Sequence, residues 1–183
     1  METFTESKNF VENPHYHEQR REYLAGLDYS TIDAPIGDII RGFAELPYCF
    51  TLQSCYGHFL HDEQKDPKNI EPLAVSDSIS RVEYRIAYIA LCIEDSESGR
   101  ELFYNLRDIS EIDREYIQFG CAGWFWERQV NSYVLQVEPK RYMTKDRVSV
   151  NYQEALHIEK IRNEVFSGLK KLIQKWLEKN QAG

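Results

Sequence analysis

The stretch 82–93 places the strongest constraint on the fold. It reads VEYRIAYIALCI, with apolar side chains at both odd and even positions. Successive side chains of a β-strand point to opposite faces of the sheet, so both faces of this strand must be covered. A strand of this kind belongs inside a sheet with further layers on either side. We therefore expect 82–93 to be a central strand.

Segments with helical periodicity can supply that cover. Residues 152–179 predict a long amphipathic helix, because apolar residues recur at three- and four-residue steps: Ile158, Ile161, Val165, Leu169, Leu172 and Trp176. Two helices are expected before the first strand, one from about residue 15 and one from Asp33, which we expect to be its N-cap, with Pro35 in the first turn. A further helix is expected at 95–109, where Asp and Ser precede a periodic run.

The order of the predicted elements indicates the fold class. Further strands are expected at 48–60, 116–121, 131–137 and 148–150, and a long loop at 61–80. The resulting order is helix, helix, strand, loop, strand, helix, strand, strand, helix. It predicts α+β architecture: a single compact domain at 15–183, with a mixed β-sheet packed with helices. The polar residues 1–14 are expected to form a flexible N-terminal tail.

Charge and hydropathy limit the classes of function. The formal net charge is −8 and the pI is about 5.2, which disfavours broad binding to a phosphate backbone. The sequence has no apolar run of membrane-spanning length, so we expect no membrane partner. Its N-terminus lacks the pattern of a signal peptide. We therefore expect a cytoplasmic protein whose cysteines are reduced.

The stretch 46–61 concentrates the residues that could carry chemistry. It reads LPYCFTLQSCYGHFLH and holds two of the four cysteines and two of the five histidines. One hypothesis is zinc binding by Cys49, Cys55, His58 and His61, all acceptable ligands. Their spacing is not a common zinc pattern, and strand residues three apart face opposite sides. We therefore predict no metal site from the sequence.

Two other hypotheses concern the same stretch. Cys55 beside His58 could form a reactive thiolate–imidazolium pair, although spacing alone assigns no group to orient the imidazole. Alternatively, the stretch forms a polar binding turn, since Gly57 allows backbone amides to approach a ligand. In that case the loop at 61–80 is a candidate lid over the turn.

The segment TLQSCYGH at 51–58 resembles a known signature. The tRNA wybutosine-synthesising methyltransferases, the third enzyme of that pathway, carry Thr-Thr-Ser-Ser-Cys-Ser-Gly-Arg on a strand. Thr51, Ser54, Cys55 and Gly57 match it, whereas the final arginine is a histidine here. The family also has an Ile-Asp-x-x-Ile helix before the signature, and IDAPI stands in that place. The later elements occur in a similar order.

The resemblance implies an α/β domain that transfers a methyl group from S-adenosylmethionine to a modified guanine in tRNA. It makes Ser54, Cys55 and His58 the candidate catalytic residues. Thr51, Ser54 and Gly57 are the candidate cofactor-binding residues. Their expected role is to position reactants through hydrogen bonds. A small-molecule ligand is expected, and tRNA is implied as a partner, although the acidic charge disfavours it. The alternative is a non-enzymatic ligand- or protein-binding module on the same fold.

Overall fold

The chain forms eight strands and five helices over residues 4–143 and 145–181, the part described in this computed structural model. The strands are β1 (Phe4–Thr5), β2 (Cys49–Cys55), β3 (His58–Leu60), β4 (Arg81–Arg85), β5 (Ala87–Ile93), β6 (Ile117–Ala122), β7 (Ser132–Val137) and β8 (Arg147–Asn151). The helices are α1 (Tyr16–Ala25), α2 (Gly37–Glu45), α3 (Glu97–Ser110), α4 (Gly123–Arg128) and α5 (Tyr152–Gln181).

The strands form two antiparallel sheets. One has the order β1-β6-β7-β5-β2 and the other the order β3-β4-β8. The α+β prediction is confirmed, and β5 lies between two hydrogen-bonded neighbours as expected for a central strand. The single mixed sheet predicted from the sequence is replaced by two antiparallel ones, because the predicted strands at 48–60 and 82–93 each break once.

The two breaks lie together and form a sheet junction, which we define by Tyr56, Gly57 and Ile86. Gly57 has a φ of +88°, and a Cβ there would lie 2.8 Å from the Cβ of Ala87. The hydroxyl of Tyr84 accepts a hydrogen bond from the backbone N–H of Ala87 at 2.9 Å. The bend predicted at Gly57 is thus present, and it passes the chain from one sheet to the other.

The C-terminal helix α5 covers the core, as its periodicity predicted. It packs against α2 and against both sheets through β4, β7 and β8. Its fully or nearly buried apolar side chains are Ala155, Ile158, Ile161, Val165, Phe166, Leu169, Ile173 and Trp176. Among the described residues, no helix is both long enough and apolar enough to cross a membrane.

Residues 4–14 of the predicted flexible tail contact the rest of the chain at several points. Strand β1 pairs with β6, and the ring of Phe10 lies 5.3 Å from that of Tyr133. The N–H of Val11 donates to Asn131 Oδ1 at 2.9 Å. The polar composition of the segment did not indicate these contacts, which involve one aromatic side chain and one short strand pairing. The flexibility of the segment stays a prediction. The first three residues of the predicted tail lie outside the described part of the chain.

Arg20 of α1 joins three elements at the edge of the large sheet. Its guanidinium donates to the carbonyls of Ala44 at 2.7 Å, Leu46 at 3.0 Å and Cys49 at 3.1 Å. A cation is favourable beside the free carbonyls that end a helix. One side chain therefore fixes α1, the end of α2 and the start of β2.

Replacing Gly57 by alanine should destabilise the protein by about 1–3 kcal/mol, because a positive φ disfavours a side chain and the added Cβ meets Ala87. The matched control is Gly168→Ala in α5, where a Cβ meets nothing within 4 Å and helix propensity should add up to about 1 kcal/mol. Urea unfolding measures both variants. Equal effects of the two substitutions would contradict the strain at the junction.

Candidate functional site

Asp33 occupies the position predicted for an N-cap, but its side chain does not cap. It precedes a short 3-10 helix at Ala34–Ile36, whose first turn is closed by the backbone, Ile36 N–H to Asp33 O at 3.0 Å. The carboxylate Oδ2 instead accepts from the N–H of Tyr56 at 2.8 Å and lies 3.3 Å from His58 Nε2. Asp33 is therefore the N-cap residue by position, with Pro35 in the first turn as predicted, but its carboxylate reaches the sheet junction instead of capping the helix.

His58 opens β3 with both ring nitrogens engaged. Its side chain is buried, and Nδ1 lies 2.9 Å from the carbonyl of Asn69 while Nε2 faces Asp33. Hydrogen bonds to Asp33, Cys55 and Asn69 outweigh burial and raise the pKa of His58 to about 10. Two acceptors on one ring favour the imidazolium, which can donate from both nitrogens.

The carboxylate of Asp33 is the complementary charge. Burial alone would raise its pKa, but the hydrogen bonds from His58 and from the Tyr56 N–H, with the charge of His58, lower it. The Asp33 side chain remains 22 % exposed, against 4 % for His58. The pair is therefore open to solvent on the aspartate side only.

Cys55 completes what we call the Asp–Cys–His cluster, defined by Asp33, Cys55 and His58. One ligand-capable atom from each residue lies within 4.8 Å of the others. Cys55 ends β2 and is only 5 % exposed. A bulky substrate cannot reach its sulfur in this conformation. Sequence reasoning missed Asp33 because it comes from another element, although it lies in the IDAPI segment of the resemblance.

The other predicted site residues are spread along β2 and the turn. Gly57 adjoins the cluster, and Ser54 is partly exposed and paired with Ile89. Thr51 is buried nearer the start of β2, about 13 Å from Cys55 for four strand residues. Its Oγ1 has no hydrogen-bond partner among the described residues. The structure thus brings Cys55, Gly57 and His58 together but not Thr51.

The four-residue zinc set considered from the sequence is not assembled. Cys49 lies at the far end of β2, where its thiol donates to the carbonyl of Phe43. His61 lies beyond β3 in an isolated bridge with Gln64. Of the four proposed ligands, only Cys55 and His58 share a cluster among the described residues.

Arg162 of α5 is a buried charge beside the cluster. Its side chain is 2 % exposed, and Nη1 donates to the carbonyl of Gly57 at 2.9 Å. The guanidinium lies 3.9 Å from the ring centroid of Tyr56 and 5.0 Å from that of Phe59, and Nη2 is 3.5 Å from Glu159 Oε1. One signal in the sequence could have revealed it, since Arg162 lies within the apolar stripe of α5.

The loop at 61–80 is fastened over this region. The carbonyl of Asn69 contacts His58, the N–H of Leu73 donates to Glu159 Oε1 at 2.9 Å, and the hydroxyl of Tyr152 donates to the carbonyl of Ala74 at 2.7 Å. Leu73 is itself buried. The middle of the loop therefore covers His58 and is attached to α5. Its predicted movement as a lid stays a prediction.

The two ends of the loop form one side of an open cleft of about 700 Å³, which we call the loop cleft. The opposite side is formed by β3, β4 and β8. Its charged residues are three basic and three acidic ones: Lys65, Arg81, Arg147, Asp62, Glu63 and Glu83. None of the five site residues predicted from the sequence lines it.

Comparison with known proteins bears on the fold. No family model matches the chain, and no curated protein matches it. Among solved structures, the chain is similar to the PH1069 protein from Pyrococcus horikoshii, with a TM-score of 0.52 at 10 % identity, over 87 % of this chain and 96 % of that one. A likeness at this identity supports the α+β fold alone.

Replacing Arg162 by methionine should lower the free energy of unfolding by about 3–5 kcal/mol, because Glu159 and the Gly57 carbonyl lose a buried partner. Lys171→Met, on the exposed face of α5, is the matched control and should change stability by no more than about 0.5 kcal/mol. Urea unfolding at neutral pH compares them. Similar midpoints for the two variants would refute a clamping role for Arg162.

The ion pair of His58 should make stability depend on pH. A pKa raised from 6.5 to about 10 means that the pair stabilises fully below about pH 6.5 and is lost as the pH rises through 10. The free energy of unfolding of the wild type should therefore exceed that of His58→Gln most at pH 6, by roughly 2 kcal/mol after discounting solvent screening at Asp33. The difference should be smallest near pH 10.

Chemical denaturation in the presence of a chelator, repeated across this range, measures the difference. His157→Gln, at the surface of α5, is the control and should keep the wild-type profile. A difference between wild type and His58→Gln that does not change with pH would show that His58 is not charged in the folded protein.

Proposed function

We propose that this protein binds S-adenosylmethionine in the loop cleft and transfers its methyl group to a nucleobase. The observation that carries the proposal is the contact between Asp33 and the turn at 56–58. The two segments that resemble the wybutosine-synthesising methyltransferases, 32–36 and 51–58, are separate in sequence, yet Asp33 accepts a hydrogen bond from the Tyr56 N–H and faces His58. Their meeting in space supports the interpretation that they are parts of one site.

The chemistry of the loop cleft is compatible with this cofactor. Its volume of about 700 Å³ lies within the range of small-molecule sites. S-adenosylmethionine carries an ammonium, a carboxylate, a sulfonium and ribose hydroxyls. Arg81 or Arg147 suits its carboxylate, and Glu83 suits its ammonium or its hydroxyls. A cleft with both signs of charge fits such a zwitterion better than it fits a simple anion.

In this proposal the signature segment shapes the cleft. His58 begins β3, and Leu60, two residues later, lines the cleft. The contact of His58 with the Asn69 carbonyl holds the loop that forms the other wall. Methyl transfer from a sulfonium depends chiefly on proximity and alignment of donor and acceptor. A positioning role for Cys55 and His58 is therefore sufficient, and their direct catalytic role stays a prediction.

The resemblance indicates a modified guanine in tRNA as acceptor. A net charge of −8 gives no broad surface for the phosphate backbone, so contacts to tRNA would have to be local. The loop cleft has three exposed basic side chains: Lys65, Arg81 and Arg147. We propose that Lys65, together with whichever of Arg81 and Arg147 does not bind the cofactor carboxylate, receives the few phosphates nearest the target base.

A non-enzymatic ligand-binding module is the second candidate. It is favoured by one observation, that no predicted catalytic side chain lines the loop cleft. Under this alternative the same cleft binds its ligand without turnover. The two candidates share a binding site and differ only in whether a methyl group is transferred after the cofactor has bound.

Calorimetry with S-adenosylmethionine tests the proposed site. The wild type should bind it below millimolar concentration, and Arg81→Ala and Glu83→Ala should each weaken binding by about tenfold or more, since each removes a charged contact. Lys160→Ala, an exposed position of α5 away from the cleft, should bind like the wild type. No heat of binding at millimolar cofactor would eliminate the proposal.

Turnover separates the two candidates. Incubation with labelled S-adenosylmethionine and guanine-modified tRNA should transfer label to the RNA if the protein is an enzyme. Binding of the cofactor with no transfer to this acceptor would favour the binding module.

A further inference from the structure

The Asp–Cys–His cluster has the geometry of three metal ligands. His58 Nε2 and Asp33 Oδ2 are 3.3 Å apart, and the sulfur of Cys55 lies within 4.8 Å of both groups. Ligands around a tetrahedral zinc ion are separated by roughly 3.3–3.8 Å, given bonds of about 2.0–2.3 Å. The nitrogen–oxygen pair already has this separation, and the sulfur needs to approach the other two atoms by at most about 1.3 Å to reach it.

The surroundings of the cluster orient these ligands as outer-shell contacts do in metal sites. A metal-binding histidine commonly donates its second N–H to a carbonyl, and a ligating carboxylate is itself hydrogen-bonded. Here His58 Nδ1 contacts the Asn69 carbonyl at 2.9 Å, which leaves Nε2 for an ion. Asp33 Oδ2 is held by the Tyr56 N–H at 2.8 Å. Both ligands are therefore aimed before any ion arrives.

The donor set selects the kind of ion. Thiolate and imidazole disfavour magnesium and calcium, which prefer oxygen, and favour zinc and related transition ions. One thiolate and one carboxylate neutralise a divalent charge. The ion would take the place of the hydrogen atom between Nε2 and Asp33, and that proton and the thiol proton would pass to solvent.

We infer that Asp33, Cys55 and His58 form a three-ligand zinc site whose fourth position faces solvent. The open direction follows from exposure, because the Asp33 side chain is 22 % exposed and that of His58 is 4 %. Three protein ligands with one open position are characteristic of catalytic rather than purely structural zinc. The inference does not depend on the proposed methyltransferase activity, since it rests on the cluster and not on the loop cleft.

Metal binding by the full chain tests the inference. The purified protein, stripped with chelator and dialysed, should take up one zinc ion per chain in competition with a chromophoric indicator. Cys55→Ser and Asp33→Asn should each weaken binding by at least about 100-fold. Cys121→Ser removes a buried thiol outside the cluster and should bind like the wild type. Unchanged affinity in Cys55→Ser and Asp33→Asn would overturn the inference.

Cobalt substitution of the wild type gives a readout that does not depend on the folding of a variant. One equivalent of cobalt(II) should produce the near-ultraviolet sulfur-to-metal charge-transfer band of a single thiolate, with visible bands of tetrahedral intensity. Weak, octahedral-type bands without the charge-transfer band would exclude a site containing Cys55.

Discussion

The sheet junction depends on the hydrogen bond that the buried guanidinium of Arg162 donates to the carbonyl of Gly57. A buried charge is tolerated only when it is paired and hydrogen-bonded, and this one meets the Gly57 carbonyl, the Glu159 carboxylate and two aromatic rings. Glu159 also receives the N–H of Leu73. Helix α5, the crossing between the sheets and the long loop are therefore fastened at one place.

Position 58 differs from the signature that the segment 51–58 resembles. The signature ends in arginine, whereas this chain has histidine there. A guanidinium nevertheless reaches the turn, from Arg162 of α5. Because Arg162 meets the turn at the carbonyl of Gly57, position 58 is left to an imidazole that faces Asp33 and Cys55. Where the signature has a permanent cation, position 58 of this chain has an imidazole, whose charge depends on pH.

Periodicity predicted the longer elements, but it predicted neither the short elements β1 and α4 nor the contacts between elements. The apolar steps in 152–179 predicted α5 nearly end to end, because one buried face imposes that spacing. The prediction of β-structure at 82–93 was correct, but the sequence does not show the break at Ile86. Ile86 is itself apolar, so the apolar pattern continues from β4 into β5. The partner of Asp33 could not be predicted either, because it depends on where the chain turns after Cys55.

Strand β2 lies at one edge of the large sheet. Where β2 begins, Arg20 donates a hydrogen bond to the carbonyl of Cys49. An unpaired edge strand can template pairing with a second chain. Here that edge is interrupted by Arg20 and by the register shift between Thr51 and Gln53. The opposite edge, β1, covers two of the described residues, Phe4 and Thr5. The β2 edge of the large sheet is thus protected against growth by strand addition and so against aggregation.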